Sequence, residues 1–389
     1  MRKLDAVRAG KPVNPGKPEG VLGNLMTSIA TIHVELITPL FGGGVQARVV
    51  DEKHWLRSSE VKTGMRMWWR LQHGRSFEKL QDMWQEESRL FGRASKIEGN
   101  LGVQVGGCGV FSLAVDTQRV QAKLAAKQYA KPNTSESVAY FPAAMDDGSY
   151  LLDLDKTSEA RTTAVLTLAW RRPGLASEKD KAHLLQALSA FLVFGGVGSR
   201  TRKGAGALAP CTVADGKALE YYPMRGVQDL GNLRPAGTTN GKVPTTATFF
   251  GGHGPLTLLA APNRSHKHLL AAWKEVRKAA RSLTIQASPL NPRRVLGLPL
   301  STKGSKGGGA QERLASLVWG GVARIWPSYN PDAAVDQGPL APSTMAVFLV
   351  GDPAPSGPVP VTSAGDLDCI RKCILDTLNT NSFNQVWSI

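Results

Sequence analysis

The sequence predicts an α+β protein built from two ferredoxin-like (RRM-like) domains with irregular insertions, and three observations carry that expectation. Residues alternate between apolar and polar from Thr31 to Leu36, as a half-buried strand does. Leu184, Leu185, Leu188, Phe191 and Leu192 fall at three- and four-residue spacings, the stripe of a core-facing helix. The order strand, helix, strand pair, helix, strand runs through the first half of the chain, and the second half echoes it.

Residues 1–24 are rich in Gly, Pro and Lys without periodic apolar positions, which predicts a flexible basic N-terminal arm. The first domain is expected over residues 25–220. Its opening strand sets Ile32, Val34 and Leu36 on one face and Thr31, His33 and Glu35 on the other, before Pro39 and Gly42, Gly43 and Gly44 stop it. Ser58 or Ser59 can cap a helix through VKTGMRMWWRLQH, with Gly64 as a local weakness. The segment LGVQVGGCGVFSLAVD reads as two short strands around Gly106 and Gly107, followed by a charged, less regular insertion from about residue 118 to 163. VLTLAW is the next strand, EKDKAHLLQALSAFLVF the second helix, ended by Gly195, and ALAPCTV a short closing strand.

A second, degenerate domain of the same type is expected over residues 221–389. It offers a strand near PLTLLA, a basic helix HKHLLAAWKEVRKAARSL, strands near ASLVWGGVARIW and TMAVFLV, and a closing helix AGDLDCIRKCILDTL. STKGSKGGG, residues 301–309, marks a mobile loop.

The chain has 389 residues, and its 47 Lys and Arg outnumber 31 Asp and Glu, a formal charge of +16. Such a balance calls for an acidic partner, with nucleic acid the first candidate and plain solubility charge the alternative. No apolar run reaches the length a membrane-spanning helix needs, and the N-terminus lacks the apolar core of a signal peptide, so a cytoplasmic protein with no membrane partner is expected. Cys108, Cys211, Cys369 and Cys373 are too scattered for a disulfide framework; Cys369 and Cys373, four apart on a helix, read better as small buried side chains than as half of a zinc site.

Two constellations could hold RNA. Lys62, Arg66 and Arg70 are four apart and share one helix face, with Arg57 just upstream and Trp68 and Trp69 further round. Cations suit phosphates and flat rings suit unstacked bases, while a solvated basic face over core tryptophans is the bland alternative. The loop GGVGSRTRKGAG, residues 195–206, combines Gly195, Gly196, Gly198 and Gly204 with the donors Ser199, Arg200, Thr201, Arg202 and Lys203. Its glycines would let a phosphate backbone approach closely, although a flexible helix end would look similar. It lacks the Walker pattern and follows a helix rather than a strand. The basic helix with Lys267, Lys274, Arg277, Lys278 and Arg281 is equally readable as a solvated face, and Phe249, Phe250, Trp319 and Trp326 read first as core.

Catalysis finds less support. Neither GxSxG nor HExxH occurs, the carboxylates singled out, Asp146 and Asp147, fall in an expected turn, and His266 and His268 need not converge on one metal. No catalytic residue, metal or cofactor is called for. A metal-free ribonuclease would have to draw a general base from His33, His54 or His73.

Several segments together resemble the RAMP superfamily of CRISPR-associated proteins, and within it the first-subunit family of the Cmr series in type III-B effector complexes. ELITPLFGGG at 35–44 resembles the family's first strand and turn, RSSEVKTGMRMWWR at 57–70 its basic, tryptophan-bearing helix, and FGGVGSRTRKGAGAL at 194–208 its glycine-rich loop. LFG at 90–92, LGLPL at 296–300 and RLASLVW at 313–319 are similar to further family segments, while Thr63, Ala205 and Leu317 depart from the pattern. The resemblance implies two RRM-like RAMP domains and a non-enzymatic, antiviral role. The chain would contact the 3′ region of a guide RNA (crRNA), the target RNA paired to it, or both, beside other Cmr-type subunits. The alternative it leaves open is a metal-independent RAMP endoribonuclease that processes guide-RNA precursors.

Overall fold

The computed structural model describes residues 27–38, 40–42, 50–51, 53–93, 107–119, 123–125, 150–152, 162–199, 201, 204–210, 257–260, 269–286, 318–325, 343–350 and 364–388. The N-terminal arm, the loop at 301–309, Cys211, Asp146, Asp147, His266, His268, Phe249, Phe250 and Trp326 lie outside them.

The chain enters through β1 (Ser28–Leu36), the short β2 (Leu40–Phe41) and helix α1 (Ser58–His73). Helix α2 (Leu80–Phe91) then leads through β3 (Gly92–Arg93) and β4 (Gly107–Cys108) to β5 (Phe111–Arg119). The insertion carries β6 (Lys123–Ala125) and β7 (Tyr150–Leu152), and β8 (Thr163–Trp170), α3 (Glu178–Phe194) and β9 (Leu208–Pro210) complete the first half. The long strands form one antiparallel sheet in the order β5, β8, β1, β9, with Val34 opposite both Ala164 and Pro210.

The second half repeats this plan with β10 (Thr257–Ala260), α4 (Leu269–Gln286), β11 (Val318–Ile325), β12 (Ser343–Val350), α5 (Ala364–Thr380) and β13 (Asn384–Ser388). Its antiparallel sheet is ordered β11, β12, β10, β13, so the two halves share one strand order.

Local chemistry explains these elements. In β1, Ile32, Val34 and Leu36 are buried against the helices, whereas Thr31 is exposed and His33 half-buried on the other face; Glu35 is buried as well. Helix α3 begins at a capping box, in which the Ser177 hydroxyl and the Asp180 carboxylate each bond the other's backbone N–H, and it ends at Gly195. Helix α1 begins differently from the expectation: Arg57 occupies its N-cap without a side-chain bond, and neither serine caps it. Gly64 is no weakness either. A Cβ there would lie 2.4 Å from the Phe191 ring, so the glycine is what lets α1 and α3 meet closely.

The second sheet is covered on both faces. Leu259, Val322, Ala346 and Phe348 pack with Trp273 and Val276 of α4 and Leu378 of α5. The opposite side, through Trp319, Ala323, Met345 and Val347, joins the core of the first half. There the Trp319 ring meets Trp68 edge-on at 5.8 Å, and Trp68 lies 5.2 Å from Phe194. Cys369 is exposed and Cys373 half-buried, which corrects the expectation that both are core residues; their spacing on α5 puts them on its outer side. No helix among the described residues is long and apolar enough to cross a membrane.

Candidate nucleic-acid interface

Helix α1 divides its residues sharply. Trp68 and Trp69 are buried, 3% and 0% exposed, and belong to the core. Lys62, Arg66 and Arg70 remain half-buried along one side, about 6 Å apart per four residues of helix. The structure gathers these three and adds a counter-ion the sequence reading missed. Glu87 of α2 lies 3.0 Å from Arg66 and takes two hydrogen bonds from Arg70, at 2.6 and 2.7 Å, while its own side chain is only 5% exposed. Arg66 also donates to the Gly92 carbonyl and sits over the Phe91 ring, 5.6 Å from its centroid. These two guanidinium groups are therefore anchored, with their outer edges still wet.

Lys62 has a different setting. Its Nζ lies 5.1 Å above the Phe111 ring, and no carboxylate among the described residues comes within ion-pair distance. Burial pushes its pKa below the usual lysine range, and the nearby positive charges of Arg171 and Arg66 push it further. Arg171 was not singled out in the sequence, although RR directly after VLTLAW marks two cations at a strand end. Its backbone bonds to the Val110 carbonyl at 2.8 Å, which fixes it beside the start of β5. Arg66 and Arg70 thus share the Glu87 carboxylate, while Lys62 and Arg171 add positive charge beside them that Glu87 does not pair, a local excess that an anion would relieve. Arg57 is apart from them, 3.9 Å from Asp51.

The glycine-rich loop follows α3 and folds back on the chain. Val197 N–H donates to the Gly206 carbonyl at 2.9 Å, Ser199 N–H to Phe41 at 2.7 Å, Gly204 N–H to Thr201 at 2.9 Å, and Gly195 N–H to Phe191 at 2.8 Å. The Gly198 amide faces the Glu60 carboxyl, whose pKa burial raises against the pull of that amide and of Arg57. These amides are spent inside the fold. The loop's glycines serve close packing: Gly198 and Gly206 have φ of +77° and +65°, and a Cβ on Gly206 would come within 2.0 Å of the Val197 carbonyl oxygen. Ser199 is exposed and Thr201 half-buried, Gly196 is half-buried, and Arg200, Arg202 and Lys203 lie outside the described residues.

The histidines named as candidate bases are separate. His54 is exposed and 3.3 Å from Asp51, His33 stands on the open face of β1, and His73 is buried, stacked on His183 at 3.7 Å. No group of three or more metal-ligating side chains occurs among the described residues. The basic helix of the second half, α4, shows Lys278 exposed; its buried side carries Trp273, Val276 and Ala279.

Comparison with known proteins matches residues 33–209 to the model of the RAMP superfamily. No curated protein matches the sequence. Among solved structures, Cmr1 from Pyrococcus furiosus in its apo form aligns with a TM-score of 0.54 at 16% identity, covering 92% of this chain and 98% of that one. A chain of the type III-B Cmr-beta complex bound to cognate target RNA aligns at 0.48 and 10% identity, covering 90% and 99%. A chain of the same complex with target RNA and AMPPnP, in the presence of ssDNA, aligns at 0.43 and 11%, covering 91% and 99%. The span from β1 through α1 and the glycine-rich loop to β9, the region that resembles this family in sequence, is thus the part of the chain that the RAMP superfamily model matches.

Proposed function

We propose that the chain is a non-catalytic RNA-binding subunit of a type III-B CRISPR (Cmr) effector complex. It would hold the 3′ region of the guide RNA, the target RNA paired to it, or both, within an assembly of other Cmr-type subunits. The observation that carries this reading is the row Lys62, Arg66, Arg70 with Arg171 beside Lys62, in which Glu87 pairs with Arg66 and Arg70 alone. Like charges held together cost stability unless a polyanion completes the site. The strand order shared by both sheets is that of a split βαβ fold, which supports two ferredoxin-like domains. The likeness to Cmr1 spans 92% of the chain and supports one fold for both.

Binding of the purified chain to guide-paired and single-stranded RNA tests the proposal. Affinity should fall steeply with salt between about 50 and 200 mM, with little dependence on base sequence. The same RNA should stay intact with and without chelator. A flat salt dependence sinks the RNA site, and cleavage of repeat RNA lost on changing His33→Ala establishes the nuclease instead.

A further inference from the structure

The geometry points to Trp84 as a stacking platform for an unpaired base of the RNA strand whose phosphates follow the α1 row, an inference that rests on the reading above. Trp84 and Leu175 are the large hydrophobic side chains exposed among the described residues, and Trp84 is 41% exposed. Leaving an indole in water forfeits more apolar burial than any other side chain would, and the other described tryptophans of the first half are buried.

Its place gives the exposure a use. Trp84 stands one turn before Glu87 on α2, and Glu87 is the residue that receives both Arg66 and Arg70. The ring therefore flanks the Arg70 end of the cationic row. The helix neighbours on its outer side are Gln81, three residues before, and Ser88, four after, both uncharged and able to donate and accept hydrogen bonds. Of the acids of α2, Glu87 is taken up by Arg66 and Arg70, and Asp82 and Glu86 are two residues away on the far side, with Glu86 bound to Arg89 at 2.6 Å. A flat aromatic surface bordered by amide and hydroxyl groups and next to cations matches an unstacked nucleobase with its phosphate. An acidic protein surface would meet the cations but gain nothing from the ring, and a duplex, with its bases stacked inside, could not reach it.

Fluorescence anisotropy on the full chain, with a short labelled oligouridylate and a labelled hairpin duplex, separates the outcomes. Trp84→Ala should weaken single-strand binding about 5- to 150-fold, leave the salt slope as it is because no phosphate contact is lost, and leave duplex binding unchanged. Trp84→Phe should recover most of the affinity. An oligonucleotide carrying 4-thiouridine should crosslink to α2 in the wild type and lose that crosslink in Trp84→Ala. The platform is overturned by wild-type single-strand affinity in Trp84→Ala, by equal losses on both RNAs, or by a variant that no longer folds. Normal RNA binding with failed assembly into the complex also overturns it and assigns Trp84 to a protein contact. If the wild type itself shows no salt slope while Trp84→Ala changes nothing, the RNA reading has failed; a steep slope with a neutral Trp84→Ala removes the platform alone.

Discussion

The indole N–H of Trp319, on β11 of the second half, donates to the backbone carbonyl of Phe194 at the end of α3 in the first half, across 2.5 Å. The bond satisfies one of the last helix carbonyls, which have no partner within α3 itself. It also ties the glycine-rich loop to the second sheet, because the loop begins at the next residue.

Trp319→Phe should keep most of the packing and lose the donor, leaving a buried carbonyl unpaired at a cost of about 1–3 kcal/mol. Trp319→Ala should cost about 3–5 kcal/mol. Denaturant unfolding followed by fluorescence measures both. A Trp319→Phe midpoint equal to wild type would mean that the ring alone joins the halves.

The glycine-rich loop gives a prediction that separates folding from binding. Gly198→Val and Gly206→Ala should lower the melting temperature, since both glycines have positive φ and a Cβ would strike the Phe41 carbonyl at 2.7 Å and the Val197 carbonyl at 2.0 Å. Gly107→Ala, where a Cβ meets nothing within 4 Å, is the control and should be close to neutral. A stable Gly206→Ala protein would reject the packing role of the loop.

What the sequence made legible follows the periodic segments. The alternation at Ile32, Val34 and Leu36 and the stripe through Leu184, Leu188 and Phe191 located β1 and α3, because burial on one face is written directly into such spacing. Helix α2 was missed, since its inner face carries Met83, Glu87, Leu90 and Phe91, and a buried glutamate breaks the apolar pattern. β13 was missed because its partner, β10, is more than a hundred residues away in the chain. At the candidate site the cationic row was readable from four-residue spacing. Its counter-ion was not, because Glu87 sits on that unread helix, and the exposure of Trp84 could not be seen for the same reason.

Acid should weaken the contact between α1 and α3. His73 and His183 stack at 3.7 Å, and burial, the facing His183 and Lys179 hold the His73 pKa down at about 3. Burial and Lys179 also lower the His183 pKa, against the opposing pull of Asp180 and Glu86. A folded pKa below the unfolded value means that the unfolded chain takes up protons first. The stabilisation is complete above about pH 6.5 and is lost as pH falls toward 3, by roughly 5 kcal/mol for His73. Stability against pH should slope upward over this window, and His73→Phe should flatten it; an unchanged profile would remove the pair from the account.

The arrangement around Glu87 leads to a prediction of opposite signs for folding and RNA binding. Glu87 neutralises part of the α1 row and fastens α2 to α1 through Arg66 and Arg70. Glu87→Gln keeps the shape, removes one negative charge and leaves two half-exposed guanidinium groups with weaker partners. Stability should drop by about 1–3 kcal/mol, below the cost of breaking a fully buried pair because the arginines stay in reach of water. RNA affinity at low salt should nevertheless rise, since both arginines are freed toward a polyanion. Lys62→Gln should do the reverse: little change in stability, a weaker complex, and a salt slope shallower by about one unit. Thermal melts and salt-dependent binding on the two variants decide the matter. If Glu87→Gln loses RNA affinity while still folded, Arg66 and Arg70 serve the helix contact alone, and the phosphate site contracts to Lys62 and Arg171.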